Sequence, residues 1–386
     1  MKALVADAEW KPRKDYPLSE NEKKQRRALV GSQVWRNPSF NIKEVPTPDI
    51  RDDEVLIRAK TCGICGSDTH LYETDDDGYI IFSGLTKLPC ILGHEFSGVI
   101  EKVGSRVIHL RPGDKVAVES IMWCGSCETC RSGAPNQCSN IELLGLSFDG
   151  AFADFAAVNE RYCWKINDLS KIYKDDTVFD LGSLIEPVGC AYNGMFISGG
   201  GFKPGSVVVV YGSGPIGLGA VALARAAGAS LVIAFDVNDE RVKIAGEMGA
   251  DHAFNIHAMD GIEPSDKVME LTRGLGADIQ VEAAGAAPKT IPHMEKSLVA
   301  NGKIIYLGRA ATSTPMNLDV LVSGANKVIG ARGHAGYGIF PYIIKLLASK
   351  KLDISKMITA RYPFEKVIDA LEASTARTDG KILITT

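Results

Sequence analysis

The chain has 386 residues and a formal net charge of −4, with 45% hydrophobic and 23% charged residues. At about 100–200 residues per domain this length predicts two domains, each with enough apolar residues to bury a core. The mild acidity excludes the basic footprint of a binder of nucleic acid or anionic membrane.

The opening stretch Met1–Tyr16 has no apolar run of the signal-peptide kind, which places the chain in the cytoplasm as an expectation. The first 35 residues are polar and uneven, with Trp10 and Trp35 as expected anchors and the basic run Lys23–Arg27 as a solvated helix face. Short β-like runs follow at 55–62, 96–104 and 114–120, punctuated by Gly, Pro and Asp as in an antiparallel barrel-like module. A cysteine-rich loop fills 123–140, and 151–158 reads as another strand. Near Glu186 the character changes. From Val207 onward apolar strands (207–212, 231–236, 278–285, 303–308) alternate with helices (215–227, 238–248), the pattern of a parallel sheet covered on both faces. The stretch 207–235 is apolar apart from Arg225, but its glycines and proline fall where a strand would turn into a helix, so it reads as a buried unit and not a membrane span. A helix is expected at 341–349, and the end reads strand, helix, strand. The order is a β-rich module, a doubly wound insert and a short return to the β-rich module.

Gly212-Ser213-Gly214-Pro215-Ile216-Gly217 is G-x-G-x-x-G, placed after an apolar strand and opening a helix. In that context Gly212 permits the tight turn, Gly214 lets the backbone approach a pyrophosphate, and Gly217 lets helix and strand pack closely. Pro215 and Ile216 begin the helix, whose free N–H groups and positive dipole end suit phosphate. Asp236 ends the next strand, nineteen residues past Gly217. A carboxylate there can bind both ribose hydroxyls and repels a 2′-phosphate, which favours NAD over NADP. It also suits a helix-cap role, although Asn238 is the better cap. Arg241 follows, placed to stack on adenine and to soften the bias against NADP.

The nine cysteines are an odd number in a chain expected to be cytosolic, so metal binding or catalysis explains them better than disulfides. Cys124, Cys127, Cys130 and Cys138 offer four thiolates within fifteen residues, with glycines and a proline between them for tight wrapping. Four thiolates close a tetrahedral zinc shell and mark a structural metal. An iron–sulfur cluster takes the same ligands, and the hydride-transfer motifs nearby favour zinc. A second set combines Cys62-Gly63-Ile64-Cys65-Gly66-Ser67-Asp68-Thr69-His70 with Gly93-His94-Glu95. Thiolate, imidazole and carboxylate are the ligand types of an open catalytic zinc. Read in isolation, Cys62 and Cys65 also fit a redox pair, and His94 a core histidine.

Together these motifs identify the chain as similar to the zinc-containing medium-chain dehydrogenase family. GICGSDxH, GHEFSGVIEKVG, the four-cysteine loop, LIEPVGCAYNG and YGSGPIGLGA stand here in the family's order and span nearly the whole chain. The resemblance implies an α/β protein with a GroES-like β-rich catalytic domain over 1–185 and 341–386 and a Rossmann NAD-binding domain over 186–340. It implies two Zn2+ ions, one catalytic and one structural, and NAD as cofactor, NADP less so. Cys65, His94 and Glu95 map onto the catalytic zinc set, with Cys62 a bystander. Glu186 replaces the second cysteine of another branch, as in polyol and sorbitol dehydrogenases, and the fourth place is open to Glu95, Glu186 or water. The resemblance further implies that Ser67 accepts the alcohol proton, that His70 relays it, and that Asp68 orients the histidine ligand. Arg332 falls near the inferred nicotinamide end.

Within the family the chain most resembles scyllo-inosose and related cyclitol or polyol dehydrogenases. Three departures from the plainer sorbitol pattern support this: the insertion between Trp10 and Trp35, the acidic loop Tyr72–Tyr79, and Arg332-Gly333-His334. Acidic groups suit a substrate rich in hydroxyls or an aminocyclitol, and equally suit a solvated loop. A threonine or vicinal-diol dehydrogenase fits the same ligand pattern, and an NAD- or sugar-binding regulatory protein is the non-enzymatic alternative. The expected partners are a small polyol and further copies of the chain, as dimer or tetramer, with no nucleic acid and no membrane.

Overall fold

The computed structural model describes residues 1–309, 313–334 and 336–386. The chain divides into two compact units. The first comprises Met1–Glu186, Ala360–Arg377 and Lys381–Thr386, and the second Pro187–Thr359 with Thr378–Gly380.

The first unit is built on a seven-stranded sheet. Its strands are β1 (Glu54–Gly63), β2 (Glu95–Val103), β3 (Lys115–Val118), β4 (Phe155–Asn159), β5 (Cys163–Lys165), β12 (Ile358–Pro363) and β13 (Lys381–Thr385). The order is β5-β3-β2-β1-β13-β12, with β4 also paired to β1. β1 is buried along nearly its whole length, with Arg58 turned to solvent, so its branched residues pack on both faces. β1 and β2 run antiparallel with Gly63 opposite Glu95 and Cys62 opposite Phe96. That register sets the end of β1, which leads to Cys65, beside the start of β2, which follows His94. Trp35, Phe96 and Phe152 are among the largest fully buried side chains of the core. The two expected tryptophan anchors meet edge to face at 5.0 Å. They do so on a pair of strands not expected from the sequence, Lys2–Trp10 and Trp35–Glu44, which pair antiparallel.

The second unit holds a six-stranded parallel sheet. Its strands are β6 (Val207–Tyr211), β7 (Leu231–Asp236), β8 (His252–Asn255), β9 (Ala277–Glu282), β10 (Leu298–Tyr306) and β11 (Lys327–Gly330), in the order β8-β7-β6-β9-β10-β11. This is the doubly wound arrangement whose order reverses between β6 and β9, and a ligand crevice forms at the strand ends beside such a switch point. The apolar stretch 207–235 resolves into β6, a helix and β7. No helix among the described residues is long and apolar enough to cross a membrane.

Two features differ from expectation. The helix Asp175–Tyr192 was not legible, because it carries Pro187 and two glycines inside it; burial from Val178 through Gly189 stabilises it despite the amide that proline lacks. The division between the units falls inside this helix, after Glu186. The chain returns to the first unit at Ala360 and not at 341. The helix expected at 341–349 spans Ile339–Ala348 and belongs to the second unit. Its Tyr342 stacks on Tyr192, and its Phe340 packs on the His334 ring at 5.0 Å. An amphipathic pattern shows that a helix buries one face, not which neighbour covers it.

Candidate functional site

Cys65 caps a short helix, α1 (Gly66–Tyr72), and its N–H donates to Asp68 Oδ2 at 2.9 Å. β2 begins one residue after His94, and ligand atoms of Cys65, His94 and Glu95 lie within 4.8 Å of one another. Asp68 is fully buried, and its Oδ1 sits 3.7 Å from His94 Nδ1. Neither of these two atoms has a hydrogen-bond partner. With Nδ1 turned to Asp68, Nε2 is the nitrogen left for a metal, and Ser67 Oγ lies 3.4 Å from it. Burial alone disfavours a charged His94, but Asp68, Cys65 and Glu186 outweigh it and raise its pKa well above the usual range. The cluster is thus short of positive charge.

Glu186 is buried, and its Oε1 accepts from Ser120 Oγ at 2.6 Å. It stands outside the 4.8 Å group formed by Cys65, His94 and Glu95. The structure therefore brings together three of the four expected ligands and sets Glu186 beside them, held by a serine. His70 is half-buried on α1; burial, then the Arg377 guanidinium, lowers its pKa, which keeps it neutral and able to accept a proton at neutral pH. Cys62 is buried, and burial drives its thiol pKa well up, as suits core packing.

The second cysteine set closes on itself. The Sγ atoms of Cys124, Cys127, Cys130 and Cys138 all lie within 4.8 Å, with Cys127 and Cys138 at 3.8 Å. A tetrahedron of metal–sulfur bonds of about 2.3 Å places its sulfurs about 3.8 Å apart. In a four-iron cluster each thiolate binds a different iron, and in a two-iron cluster the thiolates divide between two irons, so four sulfurs all within 4.8 Å of one another favour a single metal ion. Amides point at the sulfurs: Cys127 N donates to Cys124 Sγ at 3.3 Å, and Asn140 N to Cys138 Sγ at 3.3 Å. Hydrogen bonds from Ser126 hold the Cys124 thiol at about 5, and one from Thr129 holds Cys127 at about 6.

In the second unit Gly212 takes φ +93°, a conformation that an L side chain rarely adopts. A Cβ on Gly217 would stand 1.8 Å from Gly212 O, so only glycine lets the helix Pro215–Ala226 start here. Gly214 is its N-cap, Pro215 its first residue, and Ile216 follows. Asp236 ends β7 and is buried. Its Oδ2 accepts from Ser213 N at 2.6 Å, and its Oδ1 from Val237 N and Asn238 N at 2.8 and 3.0 Å. The carboxylate thus ties the glycine loop to the next βα turn, while Asn238 caps the following helix. Arg241 Nε donates to Asp379 O at 3.0 Å, and Nη1 lies 3.8 Å from where a Gly214 Cβ would be. Arg332 is exposed just beyond β11; its carbonyl and that of Gly333 accept from Asn193 Nδ2.

The acidic loop that suggested a substrate contact is engaged elsewhere. Asp75 and Asp77 both pair with Arg13 of the N-terminal insertion, whose guanidinium lies 3.9 Å over the Tyr79 ring. Glu73 pairs with Arg377. His334 is fully buried.

Comparison with known proteins agrees with this geometry. The family model for the alcohol dehydrogenase GroES-like domain matches residues 51–168, and that for zinc-binding dehydrogenases matches 215–349. Scyllo-inosose 3-dehydrogenase of Thermotoga maritima is 38% identical over 378 residues, 95% of either chain. Sorbitol dehydrogenase of Bacillus subtilis is 33% identical over 336 residues, 86% of this chain and 90% of its own. A solved structure from Thermotoga maritima, described as that of an alcohol dehydrogenase, matches with a TM-score of 0.96 at 36% identity over all of both chains. The chain belongs to the zinc-containing medium-chain alcohol dehydrogenase family. It is an oxidoreductase of the alcohol and polyol dehydrogenase class, working with zinc and a nicotinamide cofactor.

The residues of this dehydrogenase fit those groups. The unpartnered His94 and Asp68 atoms, the soft-and-hard donor set of Cys65 and Glu95, and the 3.8 Å sulfur spacing are what zinc requires. One residue at the first cluster was not foreseen: Lys381, whose Nζ donates to Glu95 Oε2 at 2.5 Å. The available signal was a lysine opening an otherwise apolar strand. Asp68→Asn is expected to lower zinc affinity at this cluster about 10–100-fold. Competition against a chromophoric chelator measures it, and unchanged affinity would reduce Asp68 to a helix cap.

Proposed function

We propose that this dehydrogenase oxidises a secondary hydroxyl of a cyclic polyol, of the scyllo-inosose or aminocyclitol kind, with NAD as acceptor. The observation that carries the reaction is the Cys65, His94 and Glu95 donor set within 4.8 Å, with Ser67 Oγ at 3.4 Å from His94 Nε2. The likeness to scyllo-inosose 3-dehydrogenase across 95% of the chain supports the substrate class. One zinc belongs at this set and a second, structural, one in the four-cysteine loop. When bound, the catalytic zinc polarises the substrate oxygen as a Lewis acid and the nicotinamide accepts the hydride.

The chain's own groups do the rest. Asp68 holds the His94 ring so that Nε2 faces the ligand set. Ser67 takes the hydroxyl proton, and neutral His70 passes it on. Gly212, Gly214 and Gly217 let the backbone approach the pyrophosphate, and the helix N-terminus that begins with Pro215 and Ile216 meets its charge. The Asp236 carboxylate, buried at the end of β7, binds the adenosine ribose and repels a 2′-phosphate. Asp236→Ala is expected to weaken NAD binding and narrow its lead over NADP by about tenfold. Unchanged preference in paired titrations would confine Asp236 to holding the loop through Ser213.

The test is reduced-cofactor formation from NAD or NADP with inositols, aminocyclitols, sorbitol, threonine and butanediol, and reduced-cofactor consumption from NADH or NADPH with inososes. Turnover of a cyclic polyol with NAD at the highest kcat/KM bears the proposal out. Preference for threonine or a simple diol keeps the chemistry and discards the cyclitol.

A further inference from the structure

Lys381 and Glu95 form an ion pair with side-chain exposures of 0% and 1%. The Lys381 ammonium donates to Glu95 Oε2 at 2.5 Å and to the carbonyl of Ile64, the residue before Cys65, at 2.8 Å. Its place is set by backbone pairing: Ile64 N donates to Ile382 O at 2.9 Å, and β13 pairs Leu383 with Gly63. Removing two charges from water costs about as much as their attraction returns, so a buried pair is weak evidence of a stabilising role. This one sits on a carboxylate whose oxygen also lies within ligand distance of Cys65 and His94. Lys381 feels Glu95, Cys65 and Glu186 together, and Asp68 adds a further negative charge behind His94.

We propose that Lys381 is a positioning residue that shares the Glu95 carboxylate with the metal and thereby sets the charge of the donor set. The inference rests on the reading of Cys65, His94 and Glu95 as a zinc site. A thiolate and a carboxylate bring two negative charges, and the ammonium cancels one. A divalent ion in this set then keeps a net positive charge toward a fourth ligand. Without the ammonium the set neutralises the ion completely. The metal is then held more tightly, because the metal-free state leaves Glu95 buried and unpaired, and it draws less on the substrate oxygen.

The experiment compares wild type, Lys381→Met, Lys381→Gln and Lys381→Arg. Zinc release into excess chromophoric chelator is followed, with Cys65→Ala protein reporting the four-cysteine loop alone. Zinc release from Lys381→Met is expected to slow about tenfold or more, with kcat falling about 10–100-fold and KM changing far less. Lys381→Arg retains the charge and stays near wild type. Lys381→Gln keeps a hydrogen-bond donor for Glu95 without the charge, and is expected to show the same slower release and lower kcat. If Lys381→Met does not fold, Lys381→Gln decides: release slower than wild type with lowered kcat supports the inference. Release as fast as wild type from fully zinc-loaded Lys381→Met or Lys381→Gln overturns the inference alone. Wild type that takes up no zinc beyond the four-cysteine loop overturns the reading of the site with it.

Discussion

Cys65→Ala is expected to lower kcat by about a thousandfold and to leave NADH binding within about threefold of wild type. Cys65 is the sulfur donor of the proposed zinc set, and its loss leaves His94 and Glu95 as the remaining clustered donors. Lewis-acid polarisation is worth several kcal/mol to a developing alkoxide, and about 4 kcal/mol corresponds to about a thousandfold. The glycine loop and Asp236 lie in a separate compact unit from Cys65, so the cofactor has no need of the thiolate to bind. Steady-state kinetics and NADH fluorescence titration check the two halves. Loss of NADH binding together with activity would contradict the division of labour between the units.

Gly217→Ala is the complementary variant. The added carbon would fall 1.8 Å from Gly212 O, well inside any permitted contact, so the turn between β6 and its helix must open. Gly212 is itself packed closely, since a Cβ there would lie 2.6 Å from the Ala284 backbone. NADH affinity is expected to fall about a hundredfold or more, roughly 2.7 kcal/mol, while zinc content matches wild type. Fluorescence titration and elemental analysis on protein of native circular dichroism give both numbers. Unaltered NADH affinity would mean that the cofactor does not sit on this loop.

The contrast between these variants follows from what local sequence carries. The glycine loop, Asp236 and the four cysteines were legible because each works through neighbours in sequence: a turn geometry, a strand end, a fifteen-residue wrap. The β-rich and doubly wound halves were legible because alternating and fully apolar runs differ in pattern. Long-range pairings were not. Lys381 meets Glu95 across 286 residues, and Arg13 meets Asp75 across 62. No local pattern distinguishes those charges from solvated ones, and Arg13 pairs with Asp75 and Asp77 of the acidic loop. The helix Asp175–Tyr192 was hidden by Pro187, and the partner of the helix Ile339–Ala348 by the fact that an apolar face does not name what covers it. The family resemblance offered Glu186 as one candidate for the fourth place, and its Oε1 accepts from the Ser120 hydroxyl, a partner 66 residues away.

The most direct test of the zinc-dependent reading is the zinc content of purified wild type and Cys65→Ala protein, measured side by side. The account predicts two zinc ions per chain in wild type and one in the variant, with dehydrogenase activity lost alongside the second ion. Equal zinc content in the two proteins, or one ion per chain in fully active wild type, would contradict it.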